Sequence, residues 1–391
     1  MRPELHELST TIPCSGCGGT NVSAAFRLPD QPVVLNYRFH SADDASRVPR
    51  RDIALVQCAN CGLVFNAEFD PNAVPYDERY ENRQCFSPAF QQHLDGLAQS
   101  LIARHGLRGG RILEIGCGKG DFLRLICAAA SALGTGFDTT YEGPLREANV
   151  EFHRQYATPT DVKGSFGALI CRHVIEHVPN IGAFLRELHS LARAAGDPVA
   201  VLETPSFEWI VRHGCFWDVF GEHCNYFGVP TLAFLAETAG FQVLRHSVVF
   251  GEQYQLLELR LAGTGQPGAN PPGIRERYSL DVFSREFTNT RRKLEERLLG
   301  AGAANGWAVW GAGAKGVALV NQITIRPPDL VVDSNPAKQG CVIPGTSIPV
   351  VSPDDARVPA VPVILIVNPN YLEEIKRHLA ALGFRHTLLT L

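Results

Sequence analysis

Glu222 and His223 stand side by side in the aromatic-rich run Phe216-Trp-Asp-Val-Phe-Gly-Glu-His-Cys-Asn-Tyr-Phe227. An imidazole titrates near neutrality, so His223 suits the removal of a proton from carbon once a neighbouring carbonyl has acidified it. An adjacent carboxylate can orient such a ring or stabilise its cation. The same residues could instead form a helix-start cap. Two further histidines, His173 and His177, flank the end of the strand-like run Leu169–His173 and the loop Val174-Ile-Glu-His-Val-Pro-Asn180. His177 reads either as a catalytic group or as one that shapes the ligand crevice. Tyr76 and Tyr80 are spaced i, i+4, which predicts one shared helix face. There they could cover a bound ligand and meet a substrate, or simply close the fold.

A separate set of residues points to a metal. Cys14-Ser-Gly-Cys17 and Cys58-Ala-Asn-Cys61 are two C-x-x-C knuckles with 40 residues between them. Two thiolates from each complete a tetrahedron, which predicts a structural zinc site with every position filled by protein. The alternative is four cysteines in a metal-free core. Zinc here is expected to hold the fold and not to touch the chemistry. The intervening residues must form their own excursion, expected as a hairpin. The remaining seven cysteines show no ligand spacing and read as small apolar residues.

These groups need a scaffold, and its clearest trace is Arg111-Ile-Leu-Glu-Ile-Gly-Cys-Gly-Lys-Gly-Asp121. An apolar strand passes through Glu114, turns at Gly116, Gly118 and Gly120, and enters the apolar-periodic stretch Phe122–Ile126. That is the first unit of a doubly wound α/β fold. Asp138 ends the next strand-like run, Ala132–Phe137, where an acid can accept hydrogen bonds from both ribose hydroxyls. In such folds the loops at the carboxyl ends of strands face the ligand, which puts His173 and His177 beside it. A dinucleotide would want G-x-G-x-x-G and a pyrophosphate on the helix N-terminus. The E-x-G-x-G-x-G form here instead resembles the first motif of class I S-adenosylmethionine (SAM) methyltransferases. SAM carries no phosphate for an acidic turn to repel. On that resemblance Glu114, Gly116, Gly118, Gly120, Asp138 and His173 are the expected cofactor-binding residues.

Bulk properties narrow the field. The 391 residues allow two or three domains, and 45% hydrophobic content with a net charge of −4 describes an ordinary globular protein. No strong positive charge draws it to nucleic acid. No apolar run approaches the ~20 residues that span a bilayer. The first residues lack the charged-then-apolar pattern of a signal peptide, so a cytoplasmic location is expected. Three parts are expected: a zinc-binding module at 1–75, a SAM-dependent methyltransferase domain at 76–262, and a helix plus Rossmann-like domain at 263–391. The glycine- and proline-rich segment Ala262–Gly273 reads as a linker, followed by a charged helix over Ser279–Leu299.

The third part holds a second glycine turn. Gly311-Ala-Gly-Ala-Lys-Gly316 matches G-x-G-x-x-G, and Asp333 ends the next apolar run, Leu330–Val332. Lys315 and the helix start would welcome a diphosphate. Three readings stay open: an NAD site, a surface that helps hold the diphosphate of a nucleotide-linked substrate, or a packing domain without ligand.

Together, the four-cysteine module, the SAM turn, Trp310–Gly316, Val332–Gly340 and Pro344–Val350 resemble the three-domain SAM-dependent deoxysugar C-methyltransferases, over nearly the whole chain. The resemblance implies an α/β fold: a class I methyltransferase doubly wound sheet with an N-terminal zinc-binding module and a C-terminal Rossmann-like α/β domain. It implies a nucleotide-linked 4-keto sugar as small-molecule substrate. It also implies that a histidine matching His223, with Glu222 beside it, removes the C-3 proton so that the enolate attacks the SAM methyl. His177 matches a family histidine, and Tyr80 or Tyr76 a family tyrosine. Phe220 stands where the family carries a tyrosine, which removes a hydroxyl that could meet the sugar or the enolate; Tyr226 or His177 could take over. Alternatives are C- or O-methylation of a non-sugar natural-product acceptor, or a ligand-responsive scaffold. A monomer or homodimer is expected.

Overall fold

A computed structural model describes residues 12–77, 79–81, 83, 85–263 and 278–391. Three sheets organise the chain. The largest has eight strands, in the order Phe241–Val249, Tyr254–Leu261, Val199–Pro205, Ala168–Arg172, Arg111–Ile115, Leu133–Phe137, Val150–His153 and Arg146–Glu147. The five strands from Val199–Pro205 to Val150–His153 run parallel. Tyr254–Leu261 and Phe241–Val249 add an antiparallel hairpin at one edge. The central strand Arg111–Ile115 is buried along four of its five residues, as a strand covered on both faces must be.

The helix Asp121–Ala130 follows the first glycine turn and buries Phe122, Leu123 and Ile126 against the sheet. Pro88–His105 runs beside it. Ser87 caps it by accepting from the Phe90 amide, Pro88 occupies its first position, and Gly106 ends it in the left-handed region.

A four-stranded antiparallel sheet carries the cysteine knuckles. Its strands are Val22–Pro32, Arg50–Cys58, Val64–Asn66 and Asn225–Tyr226. The first two pair as the expected hairpin. The fourth comes from far along the chain, so residues before 75 do not complete this sheet alone. The third sheet is wholly parallel, in the order Val350–Val351, Leu330–Val332, Trp307–Trp310, Val363–Ile366 and Thr387–Thr390. The helix Leu280–Gly300, capped by Ser279, leads into it. Residues 264–273 of the glycine- and proline-rich segment lie outside the described residues.

One apolar core ties these parts together. Phe283 and Phe287 of the long helix pack on Phe26 of the first strand, with ring centroids 5.2 and 4.9 Å away. Phe207, Phe216 and Val309 belong to the same cluster. This core joins the first and third sheets to the segment after Pro205, while separate clusters pack the large sheet, one of them shared with the cysteine knuckles.

The helix expected to carry Tyr76 and Tyr80 does not form. The Asp77 carboxylate accepts from the Arg79 amide, and the Tyr80 amide donates to the Asp77 carbonyl, which makes a tight turn. A short aspartate that bonds its own backbone competes with helix. Tyr80 instead forms an isolated bridge with Tyr37.

Candidate active site

The first glycine turn lines a cavity of about 840 Å³ at the carboxyl ends of the parallel strands. Gly116 and Gly118 have φ of 71° and 54°, a region that favours glycine. Their reasons differ. A Cβ at Gly116 would stand 2.2 Å from Val174 Cγ2, whereas one at Gly118 would meet no protein atom within 4 Å and project into open space. Gly116 thus serves packing, and Gly118 keeps room. Asp138 pins the turn: Oδ2 accepts from the Gly118 amide at 2.7 Å, and Oδ1 accepts from the Thr140 amide and hydroxyl. Glu114 lies beneath, 2% exposed, with Oε2 lacking any partner. Burial pushes its pKa up to about 8, with Asp138 and Asp121 adding to the rise and Arg172 opposing it. Gln155, Tyr156 and Ala157 also line this cavity, and nothing in their spacing marked them out.

A second cavity of about 220 Å³ lies between the large sheet and the third sheet. His223, Phe220, Asn36, Trp310 and Lys338 face it. Tyr80, Arg83, His173 and His177 line both cavities, so the two spaces adjoin at those side chains. His223 is buried, 4.2 Å from the Phe220 ring and 4.8 Å edge-on from the His177 ring, measured between centroids. Burial first, then His177, His173 and Lys315, hold its pKa well below the ordinary 6.5. It is therefore a neutral imidazole at neutral pH, with a lone pair to accept a proton.

His177 Nδ1 lies 2.9 Å from the Glu222 carbonyl oxygen and 2.9 Å from the Tyr76 hydroxyl. A carbonyl only accepts, so that bond requires the proton on Nδ1 and leaves the Nε2 lone pair free. The Tyr76 and Tyr80 phenols are held well above their ordinary pKa of 10 by burial, and then by Glu222 and other acidic neighbours, so both stay protonated. Both tyrosines thus reach the site, from a turn and not from a helix.

Glu222 does not orient His223. Its buried carboxylate accepts from the Leu35 amide (2.6 Å), the Asn36 amide (3.0 Å), the Asn36 side chain (3.0 Å) and the Tyr80 hydroxyl (3.3 Å). Glu222 and His223 sit in a turn closed by the His223 amide on the Phe220 carbonyl, and the Glu222 carboxylate leaves it toward residues 35 and 36, so sequence proximity to His223 misled. Tyr226 does not replace the hydroxyl absent at Phe220 either, because its own hydroxyl bonds the Phe220 backbone.

His173 has φ of 53°, strained for a residue with a side chain. Its Nδ1 lies 3.4 Å from Glu176 Oε1, and its Nε2 lies 3.9 Å from Glu203 Oε1. Arg172 pairs with the fully buried Glu203. Glu176, Arg172, Glu203, Asn36 and Lys338 were not singled out from the sequence. Glu176 lies inside the segment that drew attention to His177, whereas Asn36 and Lys338 reach the site from distant parts of the chain.

The four knuckle cysteines converge. Cys14 and Cys61 sulfurs lie 3.5 Å apart, Cys17 and Cys58 sulfurs 3.6 Å, and all four fall within 4.8 Å of one another. A tetrahedron with metal–sulfur bonds of ~2.3 Å has edges of ~3.8 Å, so the donor set and spacing fit zinc.

The second glycine turn repeats the Asp138 device. Asp333 Oδ2 accepts from the Ala312 amide at 2.6 Å. Lys315 is not free for a diphosphate: it bonds Asp218 (3.0 Å) and Gln253 (2.9 Å) and lies over the Trp209 ring. It braces the helix after the third sheet's first strand against Asp218 and against Gln253 beside the edge hairpin of the large sheet.

Comparison with known proteins agrees with this organisation. Residues 90–246 match a family model described as a methyltransferase domain, and residues 271–387 match one described as a C-methyltransferase C-terminal domain. The C-methyltransferase NovU of Streptomyces niveus is 24% identical over 386 residues, covering 93% of this chain and 90% of that protein. A ubiquinone biosynthesis O-methyltransferase of Pseudomonas aeruginosa is 32% identical over 105 residues, 24% of this chain and 44% of that protein. Among solved structures, the magnesium protoporphyrin IX methyltransferase of Synechocystis PCC 6803 with bound SAH aligns at 19% identity and a TM-score of 0.35, covering 44% of this chain and 84% of that one. The chain is an enzyme of the SAM-dependent methyltransferase type, and its eight-stranded sheet with the first glycine turn is the class I α/β fold of that type.

Proposed function

We propose that the enzyme methylates a carbon next to the ketone of a nucleotide-linked keto-deoxysugar, through an enolate generated by His223. The observation that carries this reading is a buried neutral imidazole, His223, on the wall of the second cavity, with its ring edge-on to His177, which lines both cavities. An O-methyltransferase needs only to deprotonate a hydroxyl. A C–H beside a ketone is a far weaker acid and calls for a positioned base in a water-poor site.

The residues at the first turn fit the donor. Gly118 leaves the space, Asp138 offers carboxylate oxygens at the strand end, and Glu114 presents a buried carboxyl oxygen with no partner among the described residues. When bound, SAM supplies the electrophilic methyl. The chain's own residues do the rest. His223 accepts the proton from the acceptor carbon. His177, fixed by the Glu222 carbonyl, presents its Nε2 side free. Tyr76 remains a hydroxyl donor, while the Tyr80 hydroxyl donates to Glu222. The buried Lys338 ammonium faces the acceptor cavity, bonded to the Ala312 carbonyl at 2.8 Å, and is a cation within reach of an anionic acceptor.

Zinc belongs to the same proposal as a structural ion on Cys14, Cys17, Cys58 and Cys61. So does a C-terminal Rossmann-like domain, a reading supported by its all-parallel sheet and by Gly311, Gly313 and Gly316 on the wall of the second cavity. Phe220 favours a second reading, a non-sugar ketone, because it and Trp310 give the acceptor cavity apolar walls.

The test is exchange in D2O with a panel of nucleotide-linked 4-keto sugars and no SAM. Deuterium should enter at the α-carbon with the wild type and not with His223→Gln, while SAH affinity of the variant stays within a few-fold. Methyl transfer at the wild-type rate by His223→Gln would rule out this base.

A further inference from the structure

C-methylation releases one proton per turnover, and its destination is a physical problem. The acceptor C–H bond breaks and its proton goes to a His223 nitrogen, while the electron pair becomes the enolate. The enolate carbon then forms the C–C bond as the methyl–sulfur bond breaks, and that electron pair stays on sulfur. A positive charge is left on an imidazole from which water is excluded. Burial disfavours that charge, and His177, His173 and Lys315 oppose it further. A counter-charge must lie close by. Glu222, the neighbour in sequence, is committed to the backbone of residues 35 and 36.

We propose that Glu176 is the carboxylate that balances the proton taken up by the His223–His177 pair, and that it acts as a positioning residue for that pair. This rests on the C-methylation reading above. Glu176, His177 and His223 each bring one polar atom within 4.8 Å of the others, a span that one bridging water covers. Glu176 is 2% exposed, and it faces the acceptor cavity. Thr204 Oγ1 donates to Oε2 at 3.0 Å, which fixes the carboxylate without neutralising it. Oε1 lies 3.4 Å from His173 Nδ1.

The backbone explains why the group is placed so well. Ile175–His177 forms a single 3₁₀ turn directly after the strand-end loop, and the Cys224 amide donates to the Glu176 carbonyl at 2.9 Å. The segment bearing Glu176 and His177 is thereby stapled to the segment bearing His223. The proton leaves His223 for the free Nε2 side of His177, is held there against Glu176, and reaches solvent through the donor cavity, which His177 lines. Nothing else is consumed or produced.

The experiment uses the full chain, with nucleotide-linked 4-keto sugars in D2O as probes. Glu176→Gln keeps the shape and the Thr204 bond but removes the charge. It should slow α-carbon exchange and kcat together by tenfold or more, with SAH Kd within twofold of wild type. Glu176→Ala should be slower still, and formate should restore part of its rate. Wild-type exchange rates in Glu176→Gln, or no effect of formate on folded Glu176→Ala, would overturn the proposal. So would loss of folding by both variants, since the role would then be structural. If the wild type itself exchanges no α-hydrogen with any probe, it is the C-methylation reading that fails.

Discussion

Glu222→Gln separates a clamp from a catalytic partner. Four donors converge on the buried carboxylate, two of them backbone amides. A glutamine oxygen in the place of Oε1 keeps both amides, but as a neutral acceptor. That weakens each bond by about 1 kcal/mol, given charged bonds of ~1.5–3 and neutral ones of ~0.5–1.5 kcal/mol. The amide nitrogen in the place of Oε2 then faces the Asn36 side-chain donor, costing another ~1–3 kcal/mol for a buried group left unpaired. Asn36 cannot simply flip, because its Oδ1 is the partner of the buried Lys338 ammonium at 3.4 Å. The sum is about 3–5 kcal/mol. With ~2.1 cal/mol/K of unfolding entropy per residue, a chain of this size unfolding as one unit loses about 4–6 °C in Tm. Differential scanning calorimetry reads the shift directly. Hydrogen exchange at residues 33–40 should rise with it, since those amides lose their charged acceptor. An unchanged Tm together with collapsed activity would refute the clamp and return Glu222 to the role its sequence position advertised.

Other outcomes follow from single observations. Gly118→Ala should fold with only the cost of a left-handed alanine, about 1–2 kcal/mol, yet bind SAH far more weakly in calorimetry. Gly116→Ala should instead be destabilised, because its Cβ meets Val174 at 2.2 Å; equal loss of binding and stability in both would contradict the division of labour. Glu114 binds its proton more tightly folded, with a pKa of about 8, than unfolded. Its contribution to stability therefore falls as pH rises from the unfolded carboxylate range through about 8 and then levels off. Denaturant titrations should accordingly show Glu114→Gln gaining on the wild type as pH rises from acid to alkaline, and parallel curves would sink this. Cys58→Ser should lose zinc by elemental analysis and melt early or aggregate, whereas a normal melt without metal would show the sulfurs to be ordinary core.

What could be read in advance divides by the range of the forces involved. The strand, glycine turn and helix at Arg111–Ala130 are local: apolar spacing and left-handed glycines dictate them without reference to the rest of the chain. The cysteine knuckles are nearly as local, because each C-x-x-C turn brings its own two sulfurs to one side. The Tyr76–Tyr80 segment was misread because spacing alone was weighed, while Asp77, which bonds its own backbone, already argued for a turn. Glu222 was misread for a different reason. Its partners at Leu35 and Asn36 lie 187 and 186 residues away, and no periodicity reports them.

The same contrast explains why the acceptor side resisted reading while the donor side did not. The donor turn is built by one continuous stretch plus Asp138, so its chemistry is written contiguously. The second cavity takes Asn36 from the loop after Val22–Pro32, His177 and His223 from two separate loops, Trp310 from the third sheet and Lys338 from the turn after Leu330–Val332. Lys315 shows the cost of reading such a wall from one motif. Beside a glycine turn it promised a diphosphate, but it is neutralised by Asp218 across the interface. A cation that braces two sheets cannot also be spent on a ligand without loosening them. A cation for an anionic acceptor must then come from elsewhere on this wall. Lys338, buried and already counterbalanced by Asp333, Glu81 and Glu222, faces the space without bridging the sheets through an ion pair of its own.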